Sequence, residues 1–410
     1  MVRPTPRFVQ ITLALAWLTG CTLSPAAEPP SSPTPPATDT PAPIPTITPT
    51  PPPPTSTPIP SPTPTPLPTP DGVITRGPYL QSPTSESIVI VWETDRPMPG
   101  EVHFGQGGAY DLRAVSPASG LRHEVLLNGL QAGAAYGYWV ASNGYPLSEA
   151  GSFRTAPPAG DPSFTFVALG DTQSGPATHQ SIADRILSLS PDFAVHTGDL
   201  VAHGMYDSEW DRFFAIEQAM LASVPLFPSQ GNHDANDLRY VDAFVLPGNE
   251  HWYAFDWGNA RIICLQLDAI QPFGKQSEQV LWLESTLAAT TQEWVIVAFH
   301  IPPYDALPED EMGYAVRVNV VPLLERYGVD LVLSGHNHNY QRSRVNGITY
   351  IVTGGAGGEL VYIDSPDPDT ETYYNGHHFV HFSVNGDTLS GRAITSDGEV
   401  VDEFELTARP

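Results

Sequence analysis

The chain has 410 residues, and its 18 Lys and Arg stand against 45 Asp and Glu, a formal net charge of −27. A surface this acidic repels a phosphate backbone, which argues against sequence-independent nucleic-acid binding. A phosphate-bearing substrate must then be attracted by local positive charge, which metal ions could supply. The hydrophobic content of 41% is ordinary for a globular protein and leaves room for two or three domains with sizeable cores.

The N-terminus carries Arg3 and Arg7, and residues 8–20 are mostly apolar. This is a basic region followed by a short apolar one, too short for a spanning helix of about 20 residues. It ends in Leu18-Thr19-Gly20-Cys21, which resembles the bacterial lipobox. That resemblance implies that residues 1–20 are a signal peptide and that Cys21 becomes the lipid-modified first residue. The protein would then be exported and held by its lipid on the outer side of the membrane. The plainer alternative is a secretory signal followed by a chance cysteine.

Residues 21–71 are read as a disordered linker, because from Thr22 to Pro70 the chain is almost entirely Pro, Thr, Ser and Ala. Such repeats cannot build a core and favour extended polyproline geometry, reaching on the order of 100 Å at about 3.1 Å per residue. The second cysteine, Cys264, lies in the apolar run Arg261-Ile-Ile-Cys-Leu-Gln-Leu267 and reads as a buried thiol. With Cys21 modified, no internal disulfide can form.

Residues 72–157 hold short β-branched and aromatic runs between Gly, Pro and Asn turns. They are Ser87–Glu93, Glu101–Phe104, His123–Leu127, Ala135–Ala141 and Gly151–Thr155. This spacing predicts a small all-β sandwich without a catalytic cluster, a structural or docking module.

Residues 163–407 alternate apolar strands with helical patterns over His179–Leu189, Ser208–Ala222, Ser277–Ala288 and Arg317–Tyr327. That alternation predicts an α/β architecture, in which loops at the carboxyl ends of strands meet in one crevice. Five strands end in polar turns: Gly170-Asp171, Gly198-Asp199, Gly231-Asn232-His233-Asp234, His300 and Gly335-His336-Asn337-His338. Each has an ordinary explanation alone. An Asp after a strand is often a helix cap, and a lone His is often a packed core residue.

Together the turns offer Asp171, Asp199, Asn232, His300, His336 and His338. These carboxylate, amide and imidazole donors suit Fe, Mn or Zn. Six such ligands are too many for one ion with an open position, whereas two ions sharing a carboxylate can clamp a phosphoryl group and activate water.

These turns resemble the calcineurin-like metallophosphoesterases, whose pattern is Asp-x-His, Gly-Asp, Gly-Asn-His-[Asp/Glu], a lone His and Gly-His-x-His. Within that group the chain looks most like the purple acid phosphatases. The supporting runs are Arg76–Gln81, Trp252–Asn259, His300–Tyr304, His338–Arg342 and Thr353–Gly358. The resemblance implies an αββα metallophosphatase core preceded by a fibronectin-III-like domain.

It also implies a ligand set. Asp199 would bridge two metals, Asp171 and His338 would bind the first, and Asn232, His300 and His336 the second. His233 would sit beside the phosphate and protonate the leaving alkoxide or stabilise charge, with Asp234 orienting it.

Departures from the family pattern stand out. The family's tyrosine ligand, three residues after the bridging Asp, is replaced by Ala202, so no tyrosinate–iron colour is expected. The His of Asp-x-His is replaced by Gln173, whose amide could coordinate weakly or hold a metal-bound water; His203 is a further candidate. The chain also has Leu307-Pro-Glu-Asp-Glu311 where plant-type members carry a His pair, so substrate choice and pH optimum do not carry over.

The leading expectation is a phosphomonoesterase of the acid phosphatase kind, acting on a small phosphate ester. Alternatives are a phosphodiesterase, a nucleotidase or a phospholipid head-group hydrolase. An alternative of another class is a non-catalytic binding protein on the same fold.

Overall fold

The computed structural model describes residues 72–234, 238–267, 273–305, 311–363 and 369–409. The leader, Cys21, the proline-rich segment and most of the Leu307–Glu311 stretch lie outside them.

The N-terminal region is built from eight strands: β1 (Ile74–Gln81), β2 (Ser87–Met98), β3 (Glu101–Gly105), β4 (Leu112–Val115), β5 (Gly120–Asn128), β6 (Ala135–Ser142), β7 (Tyr145–Pro146) and β8 (Gly151–Arg154). They form two sheets, β1-β2-β5 and β4-β3-β6-β7, with β8 paired to β6. Alternation sets the faces. In β5, His123, Val125 and Leu127 point inward while Arg122, Glu124 and Leu126 do not.

Ile88, Ile90 and Trp92 of one sheet meet Val102, Phe104, Tyr138 and Val140 of the other in a single core. Burying each such side chain stabilises by roughly 1.5–3 kcal/mol. The sequence pattern marked five of these strands and passed over β1, β4 and β7. In β1 the reason is local, because Gly77 and Pro78 interrupt the alternation and the pairing with β2 shifts register there.

The second region begins with β9 (Ser163–Leu169), α1 (Pro176–Leu189), β10 (Phe193–His196), α2 (Asp207–Leu221), β11 (Leu226–Pro228) and α3 (Leu238–Ala243). It continues through β12 (Tyr253–Trp257), β13 (Ala260–Cys264), α4 (Glu278–Ala289), β14 (Trp294–Ala298), α5 (Glu311–Asn319), α6 (Val321–Arg326) and β15 (Leu331–Ser334). It closes with β16 (Tyr340–Val345), β17 (Ile348–Thr353), β18 (Thr370–Tyr374), β19 (His378–Asn385), β20 (Thr388–Thr395) and β21 (Val400–Thr407).

One sheet runs β11-β10-β9-β19-β20-β21 and the other β12-β13-β14-β15-β17-β16-β18. Strands β9 to β11 are parallel, as are β13, β14, β15 and β17. The alternation along β13 to β15 separates two cores. Ile262, Ile296, Ala298, Leu331 and Leu333 face the other sheet, together with Phe166, Phe193 and Phe382. Ile263, Val295, Val297 and Val332 face α4 to α6, against Val280, Leu283, Val316 and Leu324. Ile182 and Ile186 of α1 and Phe213 of α2 cover the outer face of the first sheet. The result is helices, sheet, sheet, helices.

The helices start where local chemistry favours it. Pro176 opens α1, and the Ser277 hydroxyl caps α4 by accepting from Val280 N–H. The single helix expected over Arg317–Tyr327 is instead α5 and α6, broken at Val320. Pro322 has no N–H to offer the preceding turn, which ends one helix and starts the next. Cys264 is buried without a disulfide, and burial pushes its thiol up to about 12.

The sandwich docks firmly on this core. Tyr79 donates from its hydroxyl to Ala243 O (2.7 Å), and Tyr138 does the same to Ala222 O (2.9 Å). Gln81 accepts from Val245 N–H (2.9 Å), and Arg76 pairs with Asp211 (2.8 Å).

Candidate metal centre

The parallel strands of both sheets end on one side, and their polar turns meet there. Asp171 follows β9, Asp199 follows β10, Asn232 follows β11, His300 follows β14, and His336 and His338 follow β15. Ligand atoms of Asp171, Asp199 and His300, all buried, lie within 4.8 Å of one another. Asp171, Asp199 and His336 have φ of 59°, 55° and 68°. Left-handed backbone at a non-glycine residue costs about 1–3 kcal/mol and is concentrated at functional sites. Room for this comes from glycine: a Cβ on Gly231 would sit 2.2 Å from Asp199 Oδ1.

The hydrogen bonds define two overlapping clusters. In the first, His338 Nε2 lies 3.4 Å from Asp171 Oδ1, and His338 Nδ1 donates to Glu359 O. Gln173 Nε2 lies 3.4 Å from Asp199 Oδ2 and 3.3 Å from His338 Nε2. In the second, His300 Nε2 lies 3.3 Å from Asp199 Oδ2 and 3.0 Å from Asn232 Oδ1. His336 Nδ1 is 3.1 Å from the same Asn232 oxygen. Asp199 therefore belongs to both clusters.

This donor set fits cations. His300 Nδ1 donates to Thr197 O (3.0 Å), so its Nε2 lone pair faces two oxygens that can only accept. Burial pulls the His300 ring down, but Asp199, Asp171 and Asp234 outweigh it and push it up to about 10. A proton and a metal ion therefore compete for one lone pair. His338 is likewise raised: burial lowers it, and Asp171 more than compensates. Burial pushes the Asp199 carboxyl up, while His300 and the His233 N–H hold it below the usual carboxylate range.

Gln173 Oε1 is buried with no hydrogen-bond partner. Turning the amide over would aim that oxygen at Asp199 and His338, an arrangement only a cation would favour.

Asp234 does not orient His233. Its buried carboxylate accepts from the backbone N–H groups of Asp199 (2.9 Å), Gly231 (2.8 Å) and Val201 (3.2 Å). It thus ties the turn after β10 to the turn after β11. Burial, then the Asp199 charge, pushes Asp234 up to about 8 despite these donors. The His233 ring is held instead by Ala202, whose carbonyl accepts from Nδ1 at 2.9 Å. Gly204 N–H closes the same loop onto His233 O (2.9 Å), leaving the His233 side chain exposed.

The physical reason is that the buried Asp234 carboxylate meets three backbone N–H groups whose hydrogen bonds it completes, while the His233 ring is exposed. His203 is exposed, with its ring 5.8 Å from Tyr206. The supporting carbonyls of Thr197, Glu359 and Ala202 carry no mark in the sequence, since any residue supplies a carbonyl.

The calcineurin-like phosphoesterase family profile matches residues 164–340. The chain carries a calcineurin-like metallophosphoesterase domain, with purple acid phosphatases among its homologues and structural neighbours. It is 29% identical over 270 residues to purple acid phosphatase 18 of Arabidopsis thaliana, covering 60% of this chain and 59% of that protein. It is 28% identical over 321 residues to phosphoenolpyruvate phosphatase of Allium cepa, covering 69% and 64%. The chain thus spans less than two thirds of the length of these plant relatives. In fold it is similar to a purple acid phosphatase from yellow lupin (Lupinus luteus) seeds, with a TM-score of 0.70, 22% identity, and coverage of 81% of this chain and 74% of that one.

Proposed function

We propose that the protein hydrolyses phosphate esters, foremost monoesters, with two metal ions held at the ends of β9, β10, β11, β14 and β15. The observation that carries this is the sharing of Asp199 between two clusters of carboxylate, amide and imidazole groups, each able to offer ligand atoms to a cation. Asp171, His338 and Gln173 would complete one ion's ligands, and Asn232, His300 and His336 the other's. Bound there, such a pair neutralises phosphate charge and activates water.

The chain's own residues supply the rest. Thr197 O and Glu359 O fix the rings of His300 and His338. Ala202 O fixes the His233 ring with Nε2 free of that bond, in position to give a proton to the leaving oxygen.

Metal content, together with a panel of monoesters, diesters, nucleotides and head-group esters run with Fe, Mn and Zn, tests this reading. It expects two ions per chain and fastest turnover of monoesters. Faster diester cleavage would move the assignment to a phosphodiesterase. Absence of both metal and turnover would leave a non-catalytic binding protein.

We further propose that the N-terminal sandwich is fibronectin-III-like and that Cys21 carries a lipid holding the protein outside the membrane. The support is the two-sheet core and the Leu18–Cys21 run. A Cys21→Ala protein that still sediments with membranes would refute the anchor.

A further inference from the structure

We infer that His196 is a positioning residue that sets the separation of the Asp171 and Asp199 carboxylates. The two turns lie side by side after neighbouring parallel strands, with His196 paired to Leu169 in the register. They are laced by Asp171 N–H to Gly198 O (2.9 Å) and Thr172 N–H to Asp199 O (3.1 Å). Both aspartates are in left-handed backbone, so something must hold the turns against relaxation.

The fully buried His196 ring does this through bonds whose directions are determined. Thr172 Oγ1 has one proton, and Leu200 O, at 2.9 Å, can only accept it. The 3.1 Å contact between Thr172 Oγ1 and His196 Nε2 therefore requires the proton to be on the imidazole. Nδ1 is then bare and accepts from Gly198 N–H at 3.2 Å. The ring thus grips the residue after Asp171 and the residue before Asp199, and the hydroxyl passes the link to the residue after Asp199. Burial foremost, then His179 and His300, pushes this ring down to about 3 and keeps it neutral, while the hydrogen bonds select its tautomer. A histidine that only filled space would not have both nitrogens committed to these two turns.

The inference rests on the two-metal reading, and the experiment separates the two. Zn dissociation constants and stoichiometry are measured by equilibrium dialysis on the full chain and on Thr172→Val, Thr172→Ala and Thr172→Ser. Thr172→Val keeps the shape but leaves His196 Nε2–H and Leu200 O unpaired. Thr172→Ala gives the same comparison where Thr172→Val folds poorly, since it leaves space for water.

Loss of an outer hydrogen bond to a metal site typically costs about 10–100-fold in affinity. That loss is expected in Thr172→Val and Thr172→Ala with the folded protein retained, and Thr172→Ser should restore wild-type affinity. Wild-type affinity in Thr172→Val or Thr172→Ala, with or without a lower melting temperature, overturns the positioning role. So does failure of Thr172→Ser to restore affinity. A wild-type protein that binds no Zn, Mn or Fe overturns the two-metal reading itself.

Discussion

The sandwich and the second region both have dense aromatic cores, yet they treat polar groups in different ways. In the sandwich, buried polar side chains such as Thr94 and Glu101 serve neighbours within the same fold. Thr155, for instance, donates to Gln131 O at 2.6 Å. Its non-glycine residues with positive φ, Ser82 and Asn143, carry no acidic or imidazole group. In the second region, buried carboxylates and imidazoles crowd one end of two sheets, and two of them, Asp171 and Asp199, sit on left-handed backbone, as does the half-buried His336. Buried like charges and strained turns lower stability, and a chain retains them where they do chemistry.

The largest expected effect that would sharpen this contrast is at His233. Removing a general acid typically costs about 10²–10⁴-fold in rate. His233→Ala should therefore keep both metals and lose rate in that range on alkyl phosphates, with a smaller loss on nitrophenyl phosphate, whose leaving group needs little protonation. Equal losses on both esters, or loss of metal, would remove His233 from the proton-donor role.

Asp234 comes next. Asn can present only one oxygen to the N–H groups of Asp199, Gly231 and Val201. Stranding one buried donor costs about 1–3 kcal/mol, and the loosened turns should weaken metal affinity by about 10–100-fold. Asp234→Asn should leave the ratio of alkyl to aryl ester rates unchanged. A ratio shifted as in His233→Ala would mean that the two side chains act as a pair after all.

The smallest effect belongs to the junction between the regions. Tyr138→Phe removes the hydroxyl bond to Ala222 O. It should cost about 0.5–1.5 kcal/mol in denaturant unfolding and leave metal binding and turnover untouched. A fall in turnover greater than the loss of folded protein would show that the sandwich takes part in catalysis, and the contrast drawn above would fail.

Much of this could be read from sequence, because it depends on short-range chemistry. Short β-branched and aromatic runs between turn residues marked five sandwich strands, and strand–turn spacing placed all six main candidate ligands at strand ends. The helix break at Val320 was missed although Pro322 was in view. β1 was missed because Gly77 and Pro78 break the alternation that identifies a strand.

What only the tertiary structure decided were the partners. The family resemblance of Gly231-Asn232-His233-Asp234 implied that Asp234 orients His233, yet consecutive side chains leave a turn in different directions. Asp234 serves backbone N–H groups, two of them from the turn after β10, and His233 rests on Ala202 O. Residue types and their order along the chain are properties of sequence. Which carbonyl fixes which imidazole, and which ring ties two turns together, depends on segments that only folding brings within 3 Å.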